Sequence, residues 1–174
     1  MFRKRETEFQ YAPVIVKIVE DVAGGGTVAR AGLKGILNEL PPGVLVGKDS
    51  NGLYHPLKTA KITDTADASA TDYEVAKGHV FKVGDFVTLG GGLAKAASAI
   101  SAIDTSDDDV DTITVAATLT AAAKGDILVQ AKAAASAGAA KFAVEPEAIT
   151  MNKVDLTVAN QQSGLLVRGT VNEA

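Results

Sequence analysis

The chain has 174 residues, a formal net charge of -4 and no cysteine. That length suffices for one ordinary domain, or a compact domain carrying a smaller insertion, and for burial of about 70% of the unfolded surface. Without thiols, neither disulfides nor thiolate metal sites can hold the fold, so its stability has to come from packing. Positive charge is scattered apart from Arg3, Lys4 and Arg5, which argues against a nucleic-acid or anionic-membrane surface. No stretch approaches the ~20 apolar residues of a membrane span, and residues 6–10 are polar where a signal peptide needs its apolar segment. A soluble chain without an export signal is expected. Three tyrosines, five phenylalanines, two histidines and no tryptophan leave little material for an enzyme pocket or an aromatic stacking platform.

Residues 1–13 are polar, lack periodicity and end at Pro13, and read as an extended arm, either a frayed terminus or an interaction segment. Residues 14–22 form a β-branched run that stops at Gly24, Gly25 and Gly26, which predicts a strand leading into a flexible loop. No Gly-Lys-Ser/Thr closes those glycines, so a structural turn is preferred to a phosphate loop. Pro41-Pro42-Gly43 is turn chemistry. Residues 44–48 and 53–57 around Asp49-Ser50-Asn51-Gly52 then predict a hairpin, with Pro56 at an edge or strand end. His55 has no acidic or histidine neighbour evident in the sequence and reads as a surface or packing residue.

Beyond the polar stretch 61–71, short strands are predicted at 72–76, 80–83, 86–89, 99–104, 112–115 and 127–130. Lys82-Val83-Gly84-Asp85-Phe86-Val87 and Ala123-Lys124-Gly125-Asp126-Ile127-Leu128 share a Gly-Asp turn before an apolar strand, too short a match to establish a duplication. Asp107, Asp109 and Asp111 match the first three ligand positions of a calcium loop. Thr112 stands where its glycine belongs and Thr118 where its glutamate belongs, so a solvated hairpin tip is the preferred reading. Residues 131–143 are alanine-rich and read as a short helix or an extended linker. Strands follow at 148–151, 154–158 and 165–171, with 161–164 as a connector.

No serine, threonine or histidine lies in a pattern that activates a nucleophile, Gly-x-Ser-x-Gly is absent, and clustered zinc ligands are missing. Glu145, Glu147 and Asp155 remain as a carboxylate set, but glutamates beside a proline are expected on an exposed loop. We therefore expect no enzyme, no cofactor and no catalytic residue.

The C-terminal stretch Ser163-Gly164-Leu165-Leu166-Val167-Arg168-Gly169-Thr170-Val171-Asn172-Glu173-Ala174 resembles the closing strand of head decoration proteins of tailed bacteriophages. Residues 43–48 through Tyr54-His55-Pro56-Leu57 are similar to the first hairpin of that family, and together the two segments cover about a third of the chain. The segment Gly78-His79-Val80-Phe81-Lys82-Val83-Gly84-Asp85 resembles an insertion in head-fibre and auxiliary capsid proteins of phages of gut Bacteroidetes, including the crAss-like group.

The resemblance implies an all-β fold, a small barrel or sandwich built from the two chain ends, 14–59 plus 134–174, with 60–133 as an inserted β-module. It also implies a structural virion protein, made in the host cytoplasm, that decorates and stabilises the outside of the capsid by binding the major capsid protein. A head-fibre protein is a further implied partner, and a homotrimer is one implied oligomer beside monomeric members. Nucleic acid and membrane are not expected partners. The arm supplies the capsid-contact candidates Phe2, Arg3, Lys4, Arg5, Phe9 and Tyr11, with the basic residues facing an acidic capsid patch. The alternative is a receptor- or glycan-binding module of a phage fibre or bacterial surface protein.

Overall fold

Short β-branched and apolar runs punctuated by glycine turns favour many brief strands over helices. The computed structural model describes residues 14–33, 37–90 and 95–172, and over these the chain forms fifteen strands and no helix. It is an all-β protein.

Seven strands, drawn from both ends of the chain, share one sheet. They are β1 (Ile15–Asp21), β2 (Gly26–Val28), β4 (Leu45–Lys48), β5 (Tyr54–Pro56), β12 (Ala148–Thr150), β14 (Gln161–Ser163) and β15 (Leu165–Val171). Their order is β1-β15-β12-β4-β5-β2-β14, antiparallel except where Val28 of β2 meets Tyr54 of β5. A small ladder of β3 (Glu39–Leu40) and β13 (Val154–Asp155) completes this unit. Its core gathers Val28, Leu33, Leu40, Val46, Tyr54, Leu156 and Leu165. Each such side chain contributes about 1.5–3 kcal/mol when fully buried.

The middle of the chain makes β6 (Thr59–Lys61), β7 (Asp72–Ala76), β8 (Phe86–Leu89), β9 (Ala97–Asp104), β10 (Val110–Val115) and β11 (Ile127–Ala131), in the order β6-β11-β8-β9-β10-β7. An antiparallel bridge between Ile62 and Val75, with the Thr63 N–H donating to the Glu74 carbonyl at 2.9 Å, brings β7 back to β6. The sheet thereby curls into a half-barrel whose two end strands, β6 and β7, meet at this bridge. Alternation along β7 and β10 sends Tyr73, Val75, Ile113 and Val115 inward to Ile62, Phe81, Leu89, Ile100 and Leu128.

Several expectations need correction. Residues 80–83 are not a strand: the His79 Nδ1 accepts the Phe81 N–H at 3.2 Å and the Asp85 carboxylate accepts the Lys82 N–H at 2.9 Å, so local side-chain acceptors take amides that a ladder would need. Phe81 still drops into the half-barrel core. Gly26 begins β2 instead of ending a loop, because it pairs with Ser163, and it must be glycine there because Leu165 and the Tyr54 ring each stand 2.5 Å from where a Cβ would be. Residues 161–163, expected as a connector, pair with β2 as β14. Of 154–158 only the first two residues are strand, since the Asp155 carboxylate turns back onto the Thr157 N–H at 2.8 Å. The alanine-rich segment takes neither a helix nor a free linker form. It bridges Ala135 to Ala97 and Phe142 to Ala131, packing small side chains against Phe86.

Candidate functional site

The N-terminal strand and the C-terminal strand form a ribbon whose two faces differ because of irregular register. Ile15 pairs with Val171, Lys17 with Thr170, Ile18 with Gly169, Glu20 with Arg168 and Asp21 with Leu166, so Val16 and Val19 on β1 and Val167 on β15 are bulged. A strand side chain changes face at each paired step. Ile15, Ile18, Gly169, Val171 and Leu166 therefore share one face, with Asp21 at its end, and Lys17, Glu20, Arg168 and Thr170 share the other. Without the bulges the three-residue spacing of Ile15 to Ile18, and of Lys17 to Glu20, would scatter apolar and charged groups over both faces.

The apolar face continues across the sheet. Leu166 pairs with Ile149 of β12, and Ile149 with Leu45 of β4, whereas Val46, Ala148 and Leu165 point to the core on the opposite side. Between these strands runs a shallow groove of about 240 Å³ lined by Leu45, Ile149, Leu166, Val167, Gly169 and Val171, with Glu147 at its rim. Ile18 is 51% exposed, and Leu45, Val167 and Val171 are each close to half exposed. Contiguous apolar groups left in water make this face a candidate docking surface.

The ribbon is anchored at both ends. The Val22 N–H donates to the Leu165 carbonyl at 2.9 Å, and the Asn172 N–H donates to the Val14 carbonyl at 2.8 Å. At its middle the backbones approach so closely that a Cβ on Gly169 would collide with the Lys17 carbonyl oxygen and stand 2.9 Å from Leu166 Cδ2. Glycine is needed there for space.

The residues singled out from the sequence fall elsewhere. Phe2, Arg3, Lys4, Arg5, Phe9 and Tyr11 lie outside the described residues. Asp107 accepts the backbone N–H groups of Asp109 and Val110, at 2.8 and 3.2 Å, and these bonds hold its carboxyl below the usual range. Asp111 is turned inward, where Lys77 Nζ donates to it at 2.7 Å and His79 Nε2 lies 3.4 Å away. Among the described residues no group of three or more His, Asp or Glu side chains is gathered to hold a metal. Glu145 and Glu147 are exposed beside Pro146, and Asp155 caps its own turn.

His55 does have an acidic neighbour, contrary to the sequence reading. The hairpin returns Asp49 to it, with Nε2 to Oδ2 at 3.0 Å, and that hydrogen bond, joined by the Leu53 amide, lowers the Asp49 pKa. Asp49 thus orders the turn, its Oδ1 accepting the Asn51 and Leu53 N–H groups.

Sequence reasoning identified β1 and β15 as strands but missed their joint apolar face. The three-residue spacing of Ile15 and Ile18 was the available signal, since an ordinary strand alternates by two. No protein family, curated protein or solved structure matches the chain.

Proposed function

We propose that the chain is a structural component of a tailed-bacteriophage particle, bound to the outside of the capsid through the major capsid protein and stabilising the shell. The observation that carries the reading is the apolar face on which Leu45, Val167, Val171 and Ile18 stand close to half exposed around the partly buried Ile149 and the buried Leu166, which suits a flat protein partner better than a small substrate. The capsid as partner comes from the resemblance of the C-terminal strand and the first hairpin to head decoration proteins. In this role the protein binds an assembled lattice preferentially, so mass action stabilises the shell without any catalytic step. In this reading the curled sheet of β6–β11 is the inserted module that projects from the capsid-binding unit.

The test mixes the protein with capsids lacking it and follows co-sedimentation and capsid melting, alongside a variant deleted for residues 1–10. Saturable binding that raises the capsid melting temperature is expected, and weakening by the deletion would assign the arm to the contact. Absence of binding at micromolar protein contradicts the reading and turns attention to cell or glycan binding by the half-barrel.

A further inference from the structure

We infer that the outer edge of β1 is a self-complementary surface, on which a second copy of this chain adds its own β1 antiparallel, centred on Ile18. This goes beyond the capsid reading and does not depend on it. Among the described residues β1 is the terminal strand of its sheet, paired with β15 alone. An edge strand of β-branched residues offers unpaired backbone groups to another strand.

The occupant follows from the charges. The bulge at Val19 makes Lys17, Ile18 and Glu20 three successive paired positions, so Lys17 and Glu20 flank Ile18 and share the face opposite to it. A twofold axis perpendicular to the sheet at Ile18 sets each Lys17 opposite the Glu20 of the other copy, and it does so twice. It also sets the two Ile18 side chains against each other on the apolar face. Ile18 is free for this because its cross-strand neighbour within the chain is Gly169, which has no side chain to cover it. Each Glu20 then lies between Arg168 of its own chain and Lys17 of the other, giving a row of alternating charge. The contact is isologous, as closed dimers require, and it joins two apolar faces into one doubled surface.

The bulges at Val16 and Val19 limit regular pairing to the centre of the strand, and a contact of this size falls in the small, transient class. Association on the order of tens of micromolar is expected.

Sedimentation equilibrium at roughly 10–300 μM protein and low salt tests the inference on the full chain. The wild type is expected to be a monomer–dimer mixture. Lys17→Glu sets like charges opposite each other at both pairs, as does Glu20→Lys, and each is expected to weaken association at least about tenfold. An equimolar mixture of these two variants restores both attractions, so it is expected to form a heterodimer that neither variant forms with itself. A monomeric wild type throughout this range overturns the inference, as does a mixture of folded variants that stays monomeric. If Glu20→Lys fails to fold because it faces Arg168, Ile18→Asp serves in its place: it brings two carboxylates together at the axis and must abolish association. Dimerisation of Ile18→Asp at wild-type strength overturns the inference equally. Capsid binding is read separately, by co-sedimentation of the Lys17 and Glu20 variants, whose substitutions lie on the face opposite to the one proposed for the capsid.

Discussion

Asp85 and Asp126 occupy the same place in two turns of one shape, and removing each carboxylate separates a turn cap from a buried ion pair. Gly84 and Gly125 adopt φ of 94° and 96°. Each aspartate N–H donates to the carbonyl three residues back, Lys82 or Ala123, at 3.0 Å, and each Oδ2 accepts the N–H of that same residue at 2.9 Å. Only Asp85 also receives Lys58 Nζ, at 2.7 Å, with Lys58 at 7% exposure and Asp85 at 20%.

Asp126→Ala removes the cap alone and should cost about 1 kcal/mol. Asp85→Ala removes the cap and leaves Lys58 buried without its partner, about 3 kcal/mol more, taken at the lower end because Asp85 retains some solvent. For a chain of this size each kcal/mol shifts the melting temperature by about 2–4 °C. Asp126→Ala should therefore lower it by about 2–4 °C, and Asp85→Ala by about 8–16 °C. Lys58→Met combined with Asp85→Ala should recover most of the difference, since an apolar side chain can fill that space without a stranded charge. Thermal melts and urea titrations at pH 7 provide the measurement. Equal losses for the two alanine variants, or no recovery in the double variant, would refute the assignment.

Gly169→Ala should part β1 from β15, because the added methyl meets the Lys17 backbone and not a side chain that can move away. Hydrogen exchange at Lys17, Ile18 and Glu20 should lose protection while β7 and β10 keep theirs; unchanged protection on β1 would contradict this. His79 provides a pH test. Burial lowers its pKa, with partial opposition from Asp111 and a further lowering by Lys77, while its Nδ1 accepts the Phe81 N–H and so favours the neutral ring. Because the folded pKa is lower than the unfolded one, the unfolded chain binds more protons as pH falls below about 6.5, and stability should decline there. His79→Asn keeps an acceptor near that amide and should flatten stability between about pH 7.5 and 5.5. A slope in that window that persists in the variant would exclude His79 as its source.

Strand identity was legible where composition and local turn chemistry agreed. The β7 and β8 ranges were read to the residue, and the Lys-Gly-Asp or Val-Gly-Asp echo does mark two matching turns. Residues 80–83 misled because their apolar pattern fits a strand, while His79 and Asp85 take two of their amides by contacts that spacing alone does not reveal. The two-residue and three-residue strands β3, β6 and β14 were too short for periodicity and exist only because a distant partner pairs with them. The apolar face escaped notice for a related reason: its pattern depends on bulges set by the match between Ile18 and Gly169, residues 151 positions apart (169 minus 18). The His55–Asp49 contact spans six residues and depends on the hairpin folding Asp49 back across the turn, which residue types alone do not show.

The most direct test of the central claim is the affinity for capsids lacking the protein when one charge is set into the apolar face. Val167→Glu should weaken binding at least about tenfold, since it removes about 1 kcal/mol of apolar burial and buries a carboxylate. Val83→Glu, on an exposed turn of the half-barrel, should bind as the wild type does. Equal binding by Val167→Glu and wild type, with both folded, would show that this face is not the docking surface.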